Sequence, residues 1–446
     1  MPRALWIAAI AALALAALSL LLPYQPVYDP WGWLVWGREL TRLDLVTAEG
    51  MSWKPLPVLI DAPLSLLGDA APKGWLFVAR SGWLLAPVLA GWLAARLAGE
   101  EAGRWRFAAA ALAAGSVALT ADAFTPAARQ FSGGLSEPLL VSLVLGAVTA
   151  ALARRSALAL WLGFGAALLR PECWPFLAVG AVWQARREPR LRLHALAVAL
   201  LVPLAWFVPD LLGAGDPLAG SRTARGGPIE PLDAFAVFGR ALAAPLVAAW
   251  VGVGLFVVAR GRRREPDGVL TVLLIGATAW TLLVAAMAVA GYAGLPRFLA
   301  PATAAVAVVG AVGIARAGAA LAAGRTQLLA GAASLALAAG VVQLGARAAE
   351  VPADLRDADR QAILVDGMFE LADEVGAERL TFCGGEVRLA NLLTPPTALA
   401  WRMDRALSSV RAIPHPRYGT ALSTRPLPGG KLIARLGRWR VTRLSC

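Results

Sequence analysis

Tyr28-Asp29-Pro30-Trp31-Gly32-Trp33-Leu34-Val35-Trp36-Gly37-Arg38-Glu39-Leu40 follows an apolar run from about Ala4 to Leu22. The run has a short basic start at Arg3. No small-residue cleavage site follows it, and Pro23-Tyr24-Gln25-Pro26 reads as a loop. It is expected to stay as a membrane anchor, with the quoted stretch at its mouth. Trp is common at membrane interfaces, so each tryptophan taken singly reads as a belt residue. That reading does not account for Asp29 directly after the helix, nor for Arg38-Glu39 beyond it.

Working outward, further apolar runs lie near Trp75–Ala98, Phe107–Ala121, Pro138–Ala153, Ala195–Val208, Val237–Ala259, Val269–Ala290, Phe298–Ile314 and Leu328–Leu344. Most approach the length that crosses a hydrocarbon core of about 30 Å. Two runs, Ala157–Leu169 and Cys173–Gln184, are too short to span comfortably, and Arg170-Pro171-Glu172 separates them. This predicts a short helix pair folded about a charged apex and buried against other helices. Abundant Ala and Gly predict close helix packing through small residues.

Composition agrees. Of 446 residues, 58% are hydrophobic and 16% charged, whereas soluble domains run at about 45–50% and about 25%. Soluble enzymes, disordered chains and disulfide-rich secreted modules are excluded. The formal net charge of +13 has a topological explanation, because the arginines cluster between apolar spans. With the N-terminus inside, the inner loops hold Arg104/Arg106, Arg154/Arg155, Arg186/Arg187/Arg190/Arg192, Arg260/Arg262/Arg263/Arg264 and Arg316/Arg325. The alternation gives about eleven helices and places the C-terminal segment outside. No nucleic-acid partner is expected.

Residues 1–346 are therefore expected to form an all-α polytopic membrane domain, and residues 347–446 a small extracytoplasmic α/β domain. Leu355–Val375 alternates charged and apolar residues at helical spacing. Arg379–Phe382 reads as a strand, and Lys431–Arg435 with Trp439–Leu444 as a late hairpin. An extracytoplasmic site permits a Cys383–Cys446 disulfide, two unpaired thiols being the alternative. Cys173 falls in a membrane helix and reads as packing.

The first outer loop resembles that of the GT-C superfamily of integral-membrane glycosyltransferases. The nearest branch holds the protein O-mannosyltransferases and the lipid A aminoarabinose transferases. Asp29 takes the place of that loop's leading acid. Arg38-Glu39-Leu40, Asp44-Leu45-Val46-Thr47 and Lys54-Pro55-Leu56-Pro57 follow in order. Gly134-Leu135-Ser136-Glu137-Pro138, Leu169-Arg170-Pro171-Glu172 and Leu295-Pro296-Arg297-Phe298-Leu299-Ala300-Pro301 are similar to later segments of the same enzymes. The resemblance runs from the first helix to about Pro301. Two departures stand out: Pro30 replaces the usual second acid, and the Lys-Pro-Pro-Leu turn is altered.

The resemblance implies a GT-C-type glycosyltransferase, a hexosyl- or pentosyltransferase, in a bacterial plasma membrane. It implies a polyprenyl-phosphate sugar donor, inversion by a single displacement, and a protein, lipid or polysaccharide acceptor. The chemistry has its own logic. An acceptor hydroxyl needs a base, and a positioned carboxylate contributes about 10²–10⁴-fold. A departing phosphate needs positive charge. Asp29 is the candidate base, or else a helix cap. Glu137 and Asp122 are candidates for an acceptor or metal site, although Glu137 also suits a helix start. Arg297, Arg170 and Lys54 are candidates for the carrier phosphate. The plainer alternatives are an Arg170–Glu172 pair and an interfacial anchor at Arg297. Arg38 and Glu39 are expected to structure the loop as a surface pair. A divalent cation stays open. A transporter or flippase of a lipid-linked envelope precursor is the rival from another class, but no second interrupted helix pair is visible. A non-catalytic envelope-assembly scaffold is a third reading.

Overall fold

The computed structural model describes residues 3–119, 127–225, 232–260, 267–322, 327–381, 385–391 and 394–446. Helix α1 (Arg3–Ser19) leads through a short linker into α2 (Tyr28–Arg42) and α3 (Pro55–Ser65). Neither α2 nor α3 is long enough to cross a membrane. Pro30 falls in the first turn of α2, where its missing N–H costs no intrahelical bond. At the other end Leu43 adopts a φ of 60°, and the N–H groups of Leu43 and Asp44 bond to the last carbonyls of the helix.

The bundle continues with α4 (Ala71–Ala98), α5 (Trp105–Ala118), α6 (Ala127–Gly133) and α7 (Glu137–Leu152). Then come α8 (Ser156–Leu169) and α9 (Trp174–Arg187), joined by one 3-10 turn at Pro171–Cys173. This is the short pair expected from the sequence, and its apex residues Arg170 and Glu172 are buried. Helices α10 (Arg192–Ala214) and α11 (Ala219–Thr223) precede α12 (Asp233–Ala243) and α13 (Val247–Arg260). The single span expected at Val237–Ala259 is instead these two helices, bent by 89°. Pro245 lies in the break. It has no backbone N–H to donate to a carbonyl of the preceding turn, so the hydrogen-bond ladder of α12 is interrupted there.

Helices α14 (Gly268–Val289) and α15 (Ala300–Ala322) complete the apolar set. Among the described residues, five helical segments are long and apolar enough to cross a membrane. The bent α12–α13 pair can add a sixth, and shorter apolar helices stand at α1, α5, α7 and α8. The span ending in α15 is 89% buried, which makes α15 the central helix. Glycine permits its contact with α13. A Cβ at Gly310 would meet the Ala249 carbonyl at 2.2 Å, and one at Gly252 the Gly310 carbonyl at 2.0 Å. Small residues let these backbones touch, as expected.

Helix α16 (Gln327–Val375) runs unbroken for 49 residues, through the point where the composition turns from apolar to charged. A change of surroundings requires no change of backbone when both halves are good helix formers. Helix α17 (Ala377–Leu380) places Arg379 in a helix, where a strand had been expected. Five short strands follow: β1 (Val387–Leu389), β2 (Val410–Ala412), β3 (Thr420–Ser423), β4 (Lys431–Leu436) and β5 (Trp439–Arg443). Helix α18 (Pro396–Arg402) lies between β1 and β2. The sheet order is β2-β1-β3-β5-β4. β1 is parallel to β2 and β3, while β3–β5 and the expected hairpin β4–β5 are antiparallel.

The inner face of this sheet does not close on itself. Val387, Leu389, Leu422 and Val441 share one core with Met368 and Leu371 of α16 and with Trp31, Trp33 and Trp36 of α2. The tryptophans of the first loop are therefore interior residues: Trp33 and Trp36 are 0% exposed. They belong to the contact between the loop and the C-terminal segment, and not to a lipid-facing belt.

Candidate active site

Asp29 sits in the first turn of α2, and α3 begins at Pro55, directly after Lys54. Lys54 Nζ lies 4.0 Å from Asp29 Oδ2 and 5.0 Å from the centroid of the Trp33 ring. Burial pulls the Lys54 pKa down, partly countered by Glu137 and Asp29.

Glu137 opens α7, where an acid suits the helix dipole. Its Oε1 lies 3.7 Å from Arg170 Nη2 and 3.7 Å from Arg297 Nε. Arg170 Nη1 lies 3.8 Å from Glu172 Oε1. Both arginines face one ring: the guanidinium carbons are 3.5 Å (Arg170) and 5.6 Å (Arg297) from the Phe298 centroid. The structure thus gathers Asp29, Lys54, Glu137, Arg170, Glu172 and Arg297 from α2, the α2–α3 loop, α7, the α8–α9 apex and the 3-10 turn Pro296–Leu299 that leads into α15.

The pairs are loose. Charge-assisted N–H···O bonds normally measure about 2.7–2.9 Å, and every pair here is about 1 Å longer. Consequently Arg170 Nε and Nη2, Arg297 Nε, Glu137 Oε2 and Glu172 Oε2 are buried without a hydrogen-bond partner. A buried donor with no acceptor is costly. An incoming anion with several oxygens satisfies such donors, and a guanidinium fork matches phosphate geometry.

Arg38 and Glu39 are not the surface pair expected, since both are buried. Arg38 Nη1 donates to the Trp401 carbonyl at 3.0 Å, Nη2 to the Arg405 carbonyl at 2.9 Å, and Nε lies 3.0 Å from Asp404. Glu39 Oε2 accepts from Val46 N–H at 3.1 Å, and Oε1 has no partner. Burial pushes the Glu39 carboxyl up to about 7. Asp29 and Arg38 are nine residues apart, about 14 Å along the axis and on opposite faces. Helix α2 is thus a rod with the acid at one end and a docking arginine at the other.

Asp122 and Cys383 lie outside the described residues. Cys446 is disulfide-bonded, and Cys173 is a free, buried thiol. Among the described residues, no group of three or more His, Cys, Asp or Glu is placed to hold a metal ion. The residues around Asp29 do not fit a divalent cation either, because Lys54 stands beside the carboxylate where a second acid would be needed.

Sequence reasoning missed two participants. Phe298 forms the platform under both arginines; the sequence showed it within the Leu295–Pro301 segment but gave it no role. Arg80 is 0% exposed in α4. Its guanidinium donates to the carbonyls of Ser19, Pro23 (3.5 Å) and Phe131 (3.3 Å), tying α1, the linker to α2 and α6 together. An arginine inside the apolar run Trp75–Ala98 was the available signal.

The whole-chain comparison follows from this arrangement. The crystal structure of ArnT from Cupriavidus metallidurans in the apo state superimposes with a TM-score of 0.52 and 16% sequence identity, covering 98% of this chain and 97% of that one. The chain has the ArnT fold. The likeness in fold runs through the C-terminal segment as well, beyond the stretch that carries the resemblance in sequence. No protein-family model and no curated protein matches the sequence.

Proposed function

We propose that this chain is a membrane glycosyltransferase that moves a sugar from a polyprenyl-phosphate carrier to an acceptor hydroxyl. The observation that carries this reading is the buried set of orphaned guanidinium donors on Arg170 and Arg297, next to Lys54 and Asp29. Likeness to ArnT along the whole chain supports it.

The step is a single displacement. Asp29 takes the proton from the acceptor hydroxyl as its oxygen attacks the anomeric carbon. The bond from that carbon to the phosphate oxygen breaks on the opposite side. Arg170 and Arg297 hold the phosphate oxygens as charge develops on them, with Lys54 assisting. Glu137 and Glu172 keep the arginines charged and in place before the carrier arrives. The reading places residues 1–346 in a bacterial plasma membrane and residues 347–446 on its outer side, with the N-terminus inside.

Native mass spectrometry of the purified protein with added undecaprenyl phosphate tests this. Retention by the wild type and loss in Arg297→Ala or Arg170→Ala is the expected result. A folded wild type that ignores the lipid sinks the transferase reading and favours a transporter or scaffold.

A further inference from the structure

A cavity of about 1530 Å³ lies between the first loop and the C-terminal segment. One wall is the α16 face bearing Asp354, Asp357, Asp366 and Glu370, and the β4–β5 turn with Arg438 closes one side. Its floor is the linker from Gln25 to Tyr28 with Arg129 and Ser132 of α6. Gln25 N–H donates to the Ser132 carbonyl at 3.2 Å, and Val27 N–H to the Gly133 carbonyl at 3.1 Å. The two floor segments, knitted together, run directly into the helices that open with Asp29 and Glu137. Thr397 Oγ1 donates to the Tyr28 carbonyl at 2.9 Å and fixes the rim from the α18 side. The cavity lining therefore reaches Tyr28, the residue directly before the candidate base.

We infer that this groove is the acceptor channel and that it takes an extended, uncharged, hydroxyl-rich glycan whose terminal hydroxyl reaches Asp29. The inference rests on the transferase reading and names its acceptor class. Small-ligand pockets usually occupy about 300–1,000 Å³, so this volume suits several linked sugars better than one. The lining holds both acceptors and donors, as a polyol requires: carboxylates on the α16 wall accept from hydroxyls, while Gln25, Gln361, Arg129 and Arg438 donate to ring and hydroxyl oxygens. An anionic acceptor is disfavoured. Asp366 and Glu370 stand one helical turn apart with no ion pair to a cation among the described residues, and Arg360 is already paired with Asp357. A strongly cationic acceptor meets three arginines along the same groove.

Binding to the full-length chain in nanodiscs tests this by saturation-transfer NMR. The probes are neutral hexasaccharides cut from mannan, arabinan and glucan, a terminally phosphorylated mannohexaose, and an uncharged Ser/Thr-rich peptide. At least one neutral hexasaccharide is expected to bind the wild type. The double variant Asp366→Ala/Glu370→Ala should bind it roughly tenfold more weakly or worse, while retaining undecaprenyl phosphate as proof of its fold. If none of the three binds, if the double variant binds equally well, or if the phosphorylated sugar or the peptide binds tighter, the glycan channel is overturned. Failure of the wild type to bind undecaprenyl phosphate, with saccharide binding intact, overturns the transferase reading instead.

Discussion

Arg38 and Trp401, 363 positions apart in the chain, are joined twice: Arg38 Nη1 donates to the Trp401 carbonyl at 3.0 Å, and its guanidinium carbon lies 5.0 Å from the Trp401 ring centroid. This contact fixes the far end of the helix whose first turn carries Asp29. Arg42–Asp404, Arg411–Glu49 and Arg402–Asp69 surround it with exposed pairs, each worth about 1 kcal/mol or less. The buried arginine is the member that matters. Arg38→Ala should cost about 2–3 kcal/mol by leaving the buried Trp401 carbonyl and the partly buried Arg405 carbonyl without a donor. Arg38→Lys should recover only part of this, since an ammonium cannot reproduce the fork. Thermal melting in detergent gives the stability change. An unchanged melt for Arg38→Ala would show that the C-terminal segment docks without it.

Asp29→Asn should lower turnover by about 10²–10⁴-fold, the usual worth of a general base. Melting temperature and carrier binding should stay near wild type, because Asp29 makes one loose contact to Lys54. Turnover within a few-fold of wild type would make Asp29 a helix-start residue only.

Arg297→Ala and Arg170→Ala should differ. The Arg297 side chain is 25% exposed and that of Arg170 10%. Removing Arg297 should weaken carrier binding at least about tenfold with a modest loss of stability. Removing Arg170 strips partners from both Glu137 and Glu172 and should also destabilise by about 3–5 kcal/mol. Comparing melting with native-mass-spectrometry retention separates the two. Equal melting losses would contradict the burial difference.

The stability of the chain should carry a Glu39 signature. Its folded-state pKa, about 7, lies above the ordinary carboxylate value, so the fold holds the proton that the unfolded chain has released. Glu39 therefore favours the fold most below the ordinary carboxylate pKa. That contribution is lost as pH rises through about 7, up to about 3 kcal/mol in total. Glu39→Gln keeps an acceptor for Val46 N–H and abolishes the dependence. Melts of both proteins between pH 4.5 and 8 check this. Parallel curves would mean that water reaches Oε1.

Gly310→Ala should destabilise by about 1–3 kcal/mol through overpacking, because its Cβ would fall on the Ala249 backbone. Gly276→Ala, with open space around it, is the matched control and should melt as wild type does. Similar melts for the two variants would show that α13 and α15 separate without cost.

Much of this was legible in the sequence because membrane burial leaves a long, local signal. Apolar runs marked the spans, and the break at Arg170-Pro171-Glu172 marked the short helix pair. Pro245 was equally visible but sat inside a run whose length alone suggested one span. At α16 the change in composition near residue 347 falls inside one continuous helix, so the backbone carries no mark of it. The tryptophans of the first loop misled for another reason. An indole meeting lipid headgroups and an indole meeting a second segment look the same until the partner is known.

The sequence by itself determined the helices, the break in the short pair and the residue types able to handle a phosphate and a proton. Periodicity and hydropathy act over ten to twenty neighbouring positions, and those are written in the chain. Only the tertiary structure decided that Glu137, Arg170 and Arg297 share one buried site over Phe298. The same holds for Arg38 reaching across to Trp401, and for the groove that gathers Tyr28, α6, α16 and the β4–β5 turn. These contacts join residues tens to hundreds of positions apart. They exist because burying apolar helix faces brings the charged apices together, and no local pattern records which apex meets which.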